Sequence, residues 1–165
     1  MPTPPETDQG DDPPAGPPTF ADLGLERFAP YLINRISERW NTTIRDALKG
    51  SDLTTMRMRA LATLADRPGL TINELSVLAV SEQSTMSRNL DAMEEAGLVR
   101  RVPKSDDLRA REIYITPEGQ RALDAFWPTM HGHYQELLAG LSDAERDQFL
   151  GLLNKVLVNI RQNPF

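Results

Sequence analysis

The sequence contains no cysteine among its 165 residues. Disulfide frameworks, thiolate metal sites, cysteine nucleophiles and thiol-based redox sensing are therefore excluded. Its unbroken apolar runs are only a few residues long, whereas a helix needs about 20 apolar residues to cross a bilayer. The N-terminus also lacks the basic start and the apolar stretch of a secretory signal. These absences predict a soluble, cytoplasmic protein with no membrane partner.

Negative charge and proline are concentrated at the N-terminus. The net charge is −6, of which residues 1–20 carry −4, and the same residues hold seven of the 13 prolines. Such a segment cannot bury enough apolar surface to offset its ordering entropy, so we expect residues 1–20 to be a disordered acidic tail. The remaining residues carry a net charge of only −2, which does not exclude a nucleic-acid partner.

Two short helices separated by a tight turn are predicted in the middle of the chain. Thr71 and Glu74 form a capping box that marks the start of the first helix. Ser81 is the predicted cap of the second helix, which runs to about Glu95. The buried face of the second helix is predicted to hold Met86, Leu90 and Met93. Its opposite face carries Ser84, Ser87, Arg88 and Asp91. This is helix-turn-helix organisation.

A β-hairpin with a long charged tip is predicted after Gly97. Residues 98–102 and 113–115 contain two short apolar runs, and the polar residues 103–111 separate them. A helix-turn-helix followed by such a hairpin is a winged helix, which we place at residues 53–116. In this architecture the second helix enters the major groove of DNA, and the hairpin reaches the backbone or the minor groove beside it.

Basic residues cluster in the second half of this predicted module. They are Arg88, Arg100, Arg101, Lys104, Arg109 and Arg111. The hydroxyl groups of Ser84, Thr85 and Ser87 add donors for phosphate oxygens at the start of the second helix, where exposed backbone amides also favour anions. The pattern therefore favours double-stranded DNA as a partner.

Apolar stripes also mark helices at both ends of the chain. Within residues 21–50 an apolar side chain recurs every four positions from Phe28 to Leu48. A helix start at Thr116-Pro117 opens residues 117–163, and the last helix of this region carries a second stripe. One small winged helix cannot cover both stripes, so we expect the chain to associate with itself.

Residues 53–119 resemble the MarR family of transcriptional regulators. The resemblance rests on residues 84–90, on residues 93–101, and on Asp107-Leu108-Arg109 leading to residues 115–119. The order of the flanking helices extends it to about residues 21–163. The resemblance implies a mainly α-helical fold with a small β-hairpin wing, in which N- and C-terminal dimerisation helices interlock in a homodimer. Two winged helices then lie over a pseudo-palindromic DNA site.

The resemblance also implies roles for particular residues. Family members usually repress transcription and often release DNA on binding a small aromatic or anionic effector. Carried over by position, the major groove and its backbone meet Ser84, Thr85, Ser87 and Arg88. Arg109 is the wing-tip arginine that reaches the minor groove, with Asp107 as its orienting partner, and Lys104 and Arg111 contact the backbone. Where the family usually has a glycine before the recognition helix, this chain has Ala79-Val80-Ser81, and we expect Val80 to pack inward.

Blander interpretations exist for each of these features. Arg88 and Arg109 could be ordinary solvated side chains, and Asp107 could merely end a turn. Four aromatic residues could line a ligand pocket, although helical spacing more often marks a core or a dimer interface; they are Trp40, Phe126, Trp127 and Tyr134. His131 and His133 lie on different faces of a helix, so a shared metal ion is not expected.

An enzyme is not expected, because the sequence has no glycine-rich phosphate loop, no metal-ligand spacing and no nucleophile–base pair. We expect no cofactor. The alternative to a DNA-binding regulator is a winged helix that binds another protein through its basic residues.

Overall fold

The computed structural model describes residues 16–17, 19–104 and 110–161, and the chain divides into two compact units, residues 1–39 and 40–165. The first unit holds α1 (Phe20–Leu23), a short 3-10 helix (Leu25–Arg27) and the start of α2 (Ala29–Ala47). The sequence predicts one helix from about Leu23. The structure instead interrupts the helical path at Gly24, whose φ is 70°, and α2 begins with Pro30 in its first turn, where proline is tolerated.

The second unit contains the end of α2 and all remaining elements. These are α3 (Thr55–Asp66), β1 (Leu70–Thr71), α4 (Ile72–Leu78), α5 (Gln83–Glu95), β2 (Val99–Pro103), β3 (Arg111–Ile115), α6 (Pro117–Leu137) and α7 (Asp143–Ile160). The three strands form an antiparallel sheet in the order β1-β3-β2. Mainly helical architecture with a small hairpin is therefore confirmed, and β1 is an addition that the sequence did not reveal.

The hydrophobic core lies where α3, α4 and α5 meet the sheet. The buried face predicted for the second helix of the motif is confirmed, because Met86, Leu90 and Met93 are fully buried. They join Leu61, Leu64, Leu75, Val99 and Ile113 in one cluster. Ile72 and Leu78 of α4 are only half-buried. The core thus fixes α5 by one face and leaves the other face to solvent.

The start of α6 packs closely on the hairpin. Thr116 caps the helix by accepting a hydrogen bond from the backbone N–H of Gly119 (3.0 Å), and its own N–H donates to the carbonyl of Leu98 (3.1 Å). Gly119 is buried, and a Cβ added there would collide with that carbonyl. From this anchor α6 continues through Pro128 without interruption.

Candidate nucleic-acid interface

The turn between α4 and α5 has a left-handed residue at Val80, with a φ of 55°. The side chain of Val80 is 76% exposed, so the prediction that it packs inward is wrong. The backbone N–H of Ser81 donates to the carbonyl of Ser76 (2.8 Å) and closes the turn. A β-branched side chain is strongly disfavoured in this region of φ, and Val80 therefore occupies a position that suits glycine.

The recognition helix α5 begins one residue later than a cap at Ser81 would require. Glu82 is the N-cap and makes no side-chain capping bond, while the Ser81 hydroxyl donates to the carbonyl of Glu82 (3.1 Å). The predicted cap at Ser81 is therefore wrong. Because α5 begins at Gln83, the N-cap position falls on Glu82, one residue after Ser81.

The four predicted contact residues on α5 lie in its first two turns. Ser84 and Arg88 are exposed, and Thr85 and Ser87 are half-buried. The side-chain amide of Asn89 donates to the carbonyl of Thr85 (2.9 Å). Small hydroxyl side chains beside an arginine leave the helix backbone accessible, which suits close approach to a groove edge.

Arg111 and Lys104, which are predicted to contact the DNA backbone, lie at the described base of the hairpin. Arg111 is exposed and pairs in the ladder with Pro103, and the N–H of Lys104 donates to the carbonyl of Ala110 (3.1 Å). Lys104 is half-buried. The pKa of the Glu74 carboxyl group is lowered chiefly by hydrogen bonds from Thr71, and the charge of Lys104 adds a smaller effect in the same direction. The other two predicted wing residues, Asp107 and Arg109, lie outside the described residues.

Arg101 joins the hairpin to the recognition helix. Its guanidinium contacts Asp91 at 2.8 Å and Glu94 at 3.1 Å, and its backbone N–H donates to Glu94 (3.1 Å). Two carboxylates on α5 are therefore ion-paired. The sequence placed Arg101 in the basic cluster without assigning it a contact of its own, although the spacing of Asp91 and Glu94, three residues apart on one helix face, offered a signal.

Arg100 lies beside Arg101 in β2 but makes different contacts. Its guanidinium lies over the ring of Tyr114, 4.6 Å from the centroid. The Tyr114 hydroxyl donates to Glu112 (2.8 Å), and this hydrogen bond is the main reason that the pKa of Tyr114 is raised. The two adjacent arginines are thus both engaged within the wing, one on an aromatic ring and one on carboxylates.

A cleft of about 590 Å³ is lined by residues from the start of α4, from α5 and from the hairpin. Ser87 on the helix and Arg111 on β3 both line it, as do the three members of the Arg101 ion-pair cluster. The structure therefore brings a predicted groove contact and a predicted backbone contact to one cleft. Ser84, Thr85, Arg88 and Lys104 are not among its lining residues.

The remaining candidates for chemistry lie on other elements. Trp40 and Phe126 pack against the hydrophobic core, whereas Trp127 is 52% exposed. His133 contacts Glu136 (3.0 Å) and His131 contacts Gln135 (3.2 Å). Within the described ranges, no group of three or more histidine or acidic side chains is placed to hold a metal ion. None of the helices in those ranges is long and apolar enough to cross a membrane.

A helix-turn-helix flanked by a three-stranded wing defines a winged helix-turn-helix protein. The family model described as the MarR family matches residues 51–110. A MarR-family transcriptional regulator of known structure from Silicibacter pomeroyi is 42% identical, with a TM-score of 0.84 over 90% of this chain and 100% of that one. The transcriptional regulator HosA of Escherichia coli is 35% identical over 106 residues, or 64% of this chain and 78% of HosA.

A third relative extends the similarity along the chain. The HTH-type transcriptional repressor IacR of Pseudomonas putida is 27% identical over 143 residues, covering 87% of this chain and 86% of IacR. This chain belongs to the MarR family of transcriptional regulators, which are DNA-binding proteins and not enzymes.

Proposed function

We propose that this protein is a homodimeric repressor that binds a pseudo-palindromic site in double-stranded DNA and is released by a small aromatic or anionic effector. The single observation that carries the proposal is the outer face of α5. That face presents Ser84, Ser87 and Arg88 beside the base of a wing that carries Arg111. We assign the DNA-binding domain to residues 53–116.

The charge on this surface supports DNA as the partner, although the whole chain is acidic. Asp91 and Glu94 are the acidic side chains of α5 nearest the wing, and both contact Arg101. Arg88 and Arg111 are exposed. An exposed basic side chain that neutralises a phosphate contributes to affinity through release of counterions, so the local balance favours binding even where the net charge does not.

The homodimer is proposed from the exposed apolar side chains at the two ends of the chain. In α2, Leu32, Ile33 and Ile36 are all exposed. In α7 no residue is buried, and its exposed apolar residues are Leu150, Leu152, Leu153, Val156, Leu157, Val158 and Ile160. Exposed apolar surface of this extent favours association, so we assign residues 21–50 and 117–163 to dimerisation.

Repression and release by an effector are proposed from the family. IacR is a repressor by name, and MarR-family regulators respond to small molecules. An effector can weaken DNA binding only if it binds the DNA-free conformation more tightly than the DNA-bound one. A ligand that releases the operator must therefore itself bind more weakly when operator is present.

The test is selection from a random DNA duplex library at about 150 mM salt, followed by sequencing of the bound pool. We expect an inverted repeat whose half-sites are about 10 base pairs apart, one turn of the helix. Arg88→Ala and Arg109→Ala should each weaken binding to the selected site more than tenfold and leave the dimer intact. Arg67→Ala, outside the proposed interface, is the matched control.

A folded dimer that enriches no sequence, before and after refolding to remove any bound effector, would contradict the proposal. It would instead favour a winged helix that binds another protein. Binding to DNA that falls steeply as salt increases is expected for the first interpretation and not for the second.

A further inference from the structure

The contacts of Arg101 link the two parts of the surface proposed to bind DNA. We infer that Arg101 is a positioning residue, which holds the wing at a set place relative to the recognition helix and thereby determines operator specificity. The inference rests on the proposed DNA-binding function. It concerns how the protein distinguishes its operator from other DNA, a role that Arg101 performs without touching a base.

The contacts of Arg101 reach two positions of α5 from the middle of β2. Its two guanidinium nitrogens contact separate carboxylates, Asp91 at 2.8 Å and Glu94 at 3.1 Å. The backbone N–H donates to the second oxygen of Glu94 (3.1 Å). A planar guanidinium that binds two carboxylates restricts rotation as well as distance. The Arg101 side chain is 24% exposed, whereas Asp91 and Glu94 are 65% and 41% exposed, so solvent screens the carboxylate end of each pair more than the guanidinium end.

Within the described residues, apolar packing joins α5 to the hairpin where Val99 and Ile113 share the core with Met93. At the base of the wing, the N–H of Leu98 donates to the carbonyl of Met93 (2.8 Å). Beyond that point the cleft of about 590 Å³ lies between α5 and the strands, with Ser87 and Arg111 among its lining. The Arg101 ion pairs therefore add a directional polar connection on the open side of this apolar contact.

The hydrogen-bonded ladder between β2 and β3 couples the position of Arg101 to that of the outer hairpin. Arg101 pairs with the buried Ile113, and two residues further on Pro103 pairs with Arg111. The bond from the N–H of Lys104 to the carbonyl of Ala110 extends the ladder toward the tip. A shift of β2 against α5 therefore moves the wing contacts relative to the helix contacts.

Specific and non-specific DNA binding depend differently on such a shift. Binding to random DNA requires only positive charge near phosphates. Recognition of an operator requires the helix and the wing to contact their own parts of the site at the same time. Loss of the Arg101 connection should therefore reduce the ratio of the affinity for the operator to the affinity for random DNA.

The experiment compares two variants that break the same connection with opposite changes of charge. Arg101→Met keeps an aliphatic stem and removes one positive charge, and the double variant Asp91→Asn/Glu94→Gln removes two negative charges. The affinity of each is measured for the selected operator and for a random duplex of equal length. We expect both variants to lower the operator-to-random affinity ratio about tenfold.

Two outcomes would show that charge, and not position, explains the result. One is a ratio that falls for Arg101→Met and is unchanged or rises for the double variant. The other is equal weakening of both duplexes by Arg101→Met with a salt slope reduced by about 0.9, since that marks a lost phosphate contact. Either outcome overturns the inference.

Arg100→Met is the matched control, because it removes the same charge from the same strand but lies over Tyr114. Its affinity ratio should stay within about twofold of the unmodified protein. An equal fall in this control would overturn the inference. Circular dichroism establishes that each variant is folded, and the double variant decides the question if Arg101→Met does not fold.

The unmodified protein separates this inference from the proposed function. If the unmodified protein binds no duplex, both fail. If it prefers its operator and both variants keep that preference, only the role of Arg101 is wrong.

Discussion

At the scale of single residues, Val80 is where backbone conformation and side-chain type conflict. Its φ of 55° costs a residue with a Cβ about 1–2 kcal/mol relative to the right-handed region. Its side chain is mostly exposed, so no burial offsets this strain. The hydrogen bond between Ser81 and Ser76 and the packing of α4 and α5 against the core hold the turn in place.

We expect Val80→Gly to raise the free energy of unfolding by about 0.5–1 kcal/mol, because relief of strain exceeds the added freedom of glycine in the unfolded chain, about 0.4–1 kcal/mol. Thermal and denaturant unfolding at one fixed protein concentration measure the change. Val80→Ala should gain less, since alanine is also disfavoured at positive φ. A less stable Val80→Gly variant would show that the turn is not strained.

Three acidic side chains share one local arrangement, the capping box. Asp22, Glu74 and Glu145 each accept hydrogen bonds from the backbone N–H and the hydroxyl of the residue that caps their helix. These bonds favour the charged carboxylate, so the pKa of each is lowered. For Glu74 the hydroxyl of Thr71 makes the largest contribution, followed by the Thr71 backbone N–H.

The lowered pKa of Glu74 makes part of the stability depend on pH. The carboxylate stabilises the fold at pH values above its ordinary pKa of 4.5, and that contribution is lost as the pH falls through the lower pKa of the folded state. Glu74→Gln keeps an acceptor but no charge. The stability difference between the two proteins should therefore be largest near neutral pH and shrink in acid. Unfolding measurements across this pH range test the expectation. If the difference in free energy of unfolding between the two proteins does not change with pH, the assignment is wrong.

At the scale of elements, the first turn of α6 sets how closely that helix approaches the wing. Gly119 is buried against the carbonyl of Leu98, and the side chain of Ile115 lies 3.0 Å from the position a Cβ would take. Gly132 lies on the same helix, and a Cβ there would have no atom within 4 Å. Alanine substitutions at the two positions therefore distinguish two effects. Both change helix propensity, but only the substitution at Gly119 also disturbs close packing.

We expect Gly119→Ala to lower the free energy of unfolding by about 3 kcal/mol, at the upper end of overpacking effects, because a backbone carbonyl must move. Gly132→Ala should raise it by about 0.5–1 kcal/mol, since glycine is unfavourable inside a helix. Thermal unfolding of the two variants in parallel measures both. A harmless Gly119→Ala would mean that α6 does not begin against the wing as described.

The sequence predicted well those elements whose patterns depend on residues close together in the chain. The stripe of Met86, Leu90 and Met93 and the capping box of Thr71 and Glu74 each depend on residues three or four positions apart. The start of α5 was predicted wrongly, since a left-handed valine is not visible in residue type. Strand β1 was missed because two residues carry no periodicity and depend on pairing with β3, more than 40 positions away.

In the candidate site, too, the sequence predicted local features but not contacts between distant parts of the chain. That Ser84 and Arg88 face solvent follows from the helical period. The link from Arg101 to Asp91 and Glu94 needs a strand placed beside a helix, which sequence spacing alone does not establish. The sequence therefore predicted which side chains are exposed to a partner. It did not predict the contacts that fix the hairpin relative to α5.

At the scale of the whole molecule, the proposed homodimer depends on the exposed apolar side chains of α7. Leu153 and Leu157, 38% and 57% exposed, lie one turn apart on this helix. A glutamate pair at these positions would place unpaired charge in an apolar interface at a large cost in free energy. Lys155 lies outside the apolar arc of α7, so Lys155→Glu changes charge on the same helix without entering that interface.

We expect Leu153→Glu/Leu157→Glu to abolish the dimer, whereas Lys155→Glu keeps it; sedimentation velocity measures both. Affinity of the double variant for a two-half-site operator should fall at least about 100-fold, because the second half-site is then bound without the gain from linkage. The substitutions lie in α7 and leave α5 unchanged, so affinity for a single half-site should change little. If the folded protomer depends on dimerisation, the double variant will unfold, and the melting temperature of the unmodified protein will rise with its concentration. A double variant that sediments like the unmodified protein would show that α7 is covered by something other than a second copy of this chain.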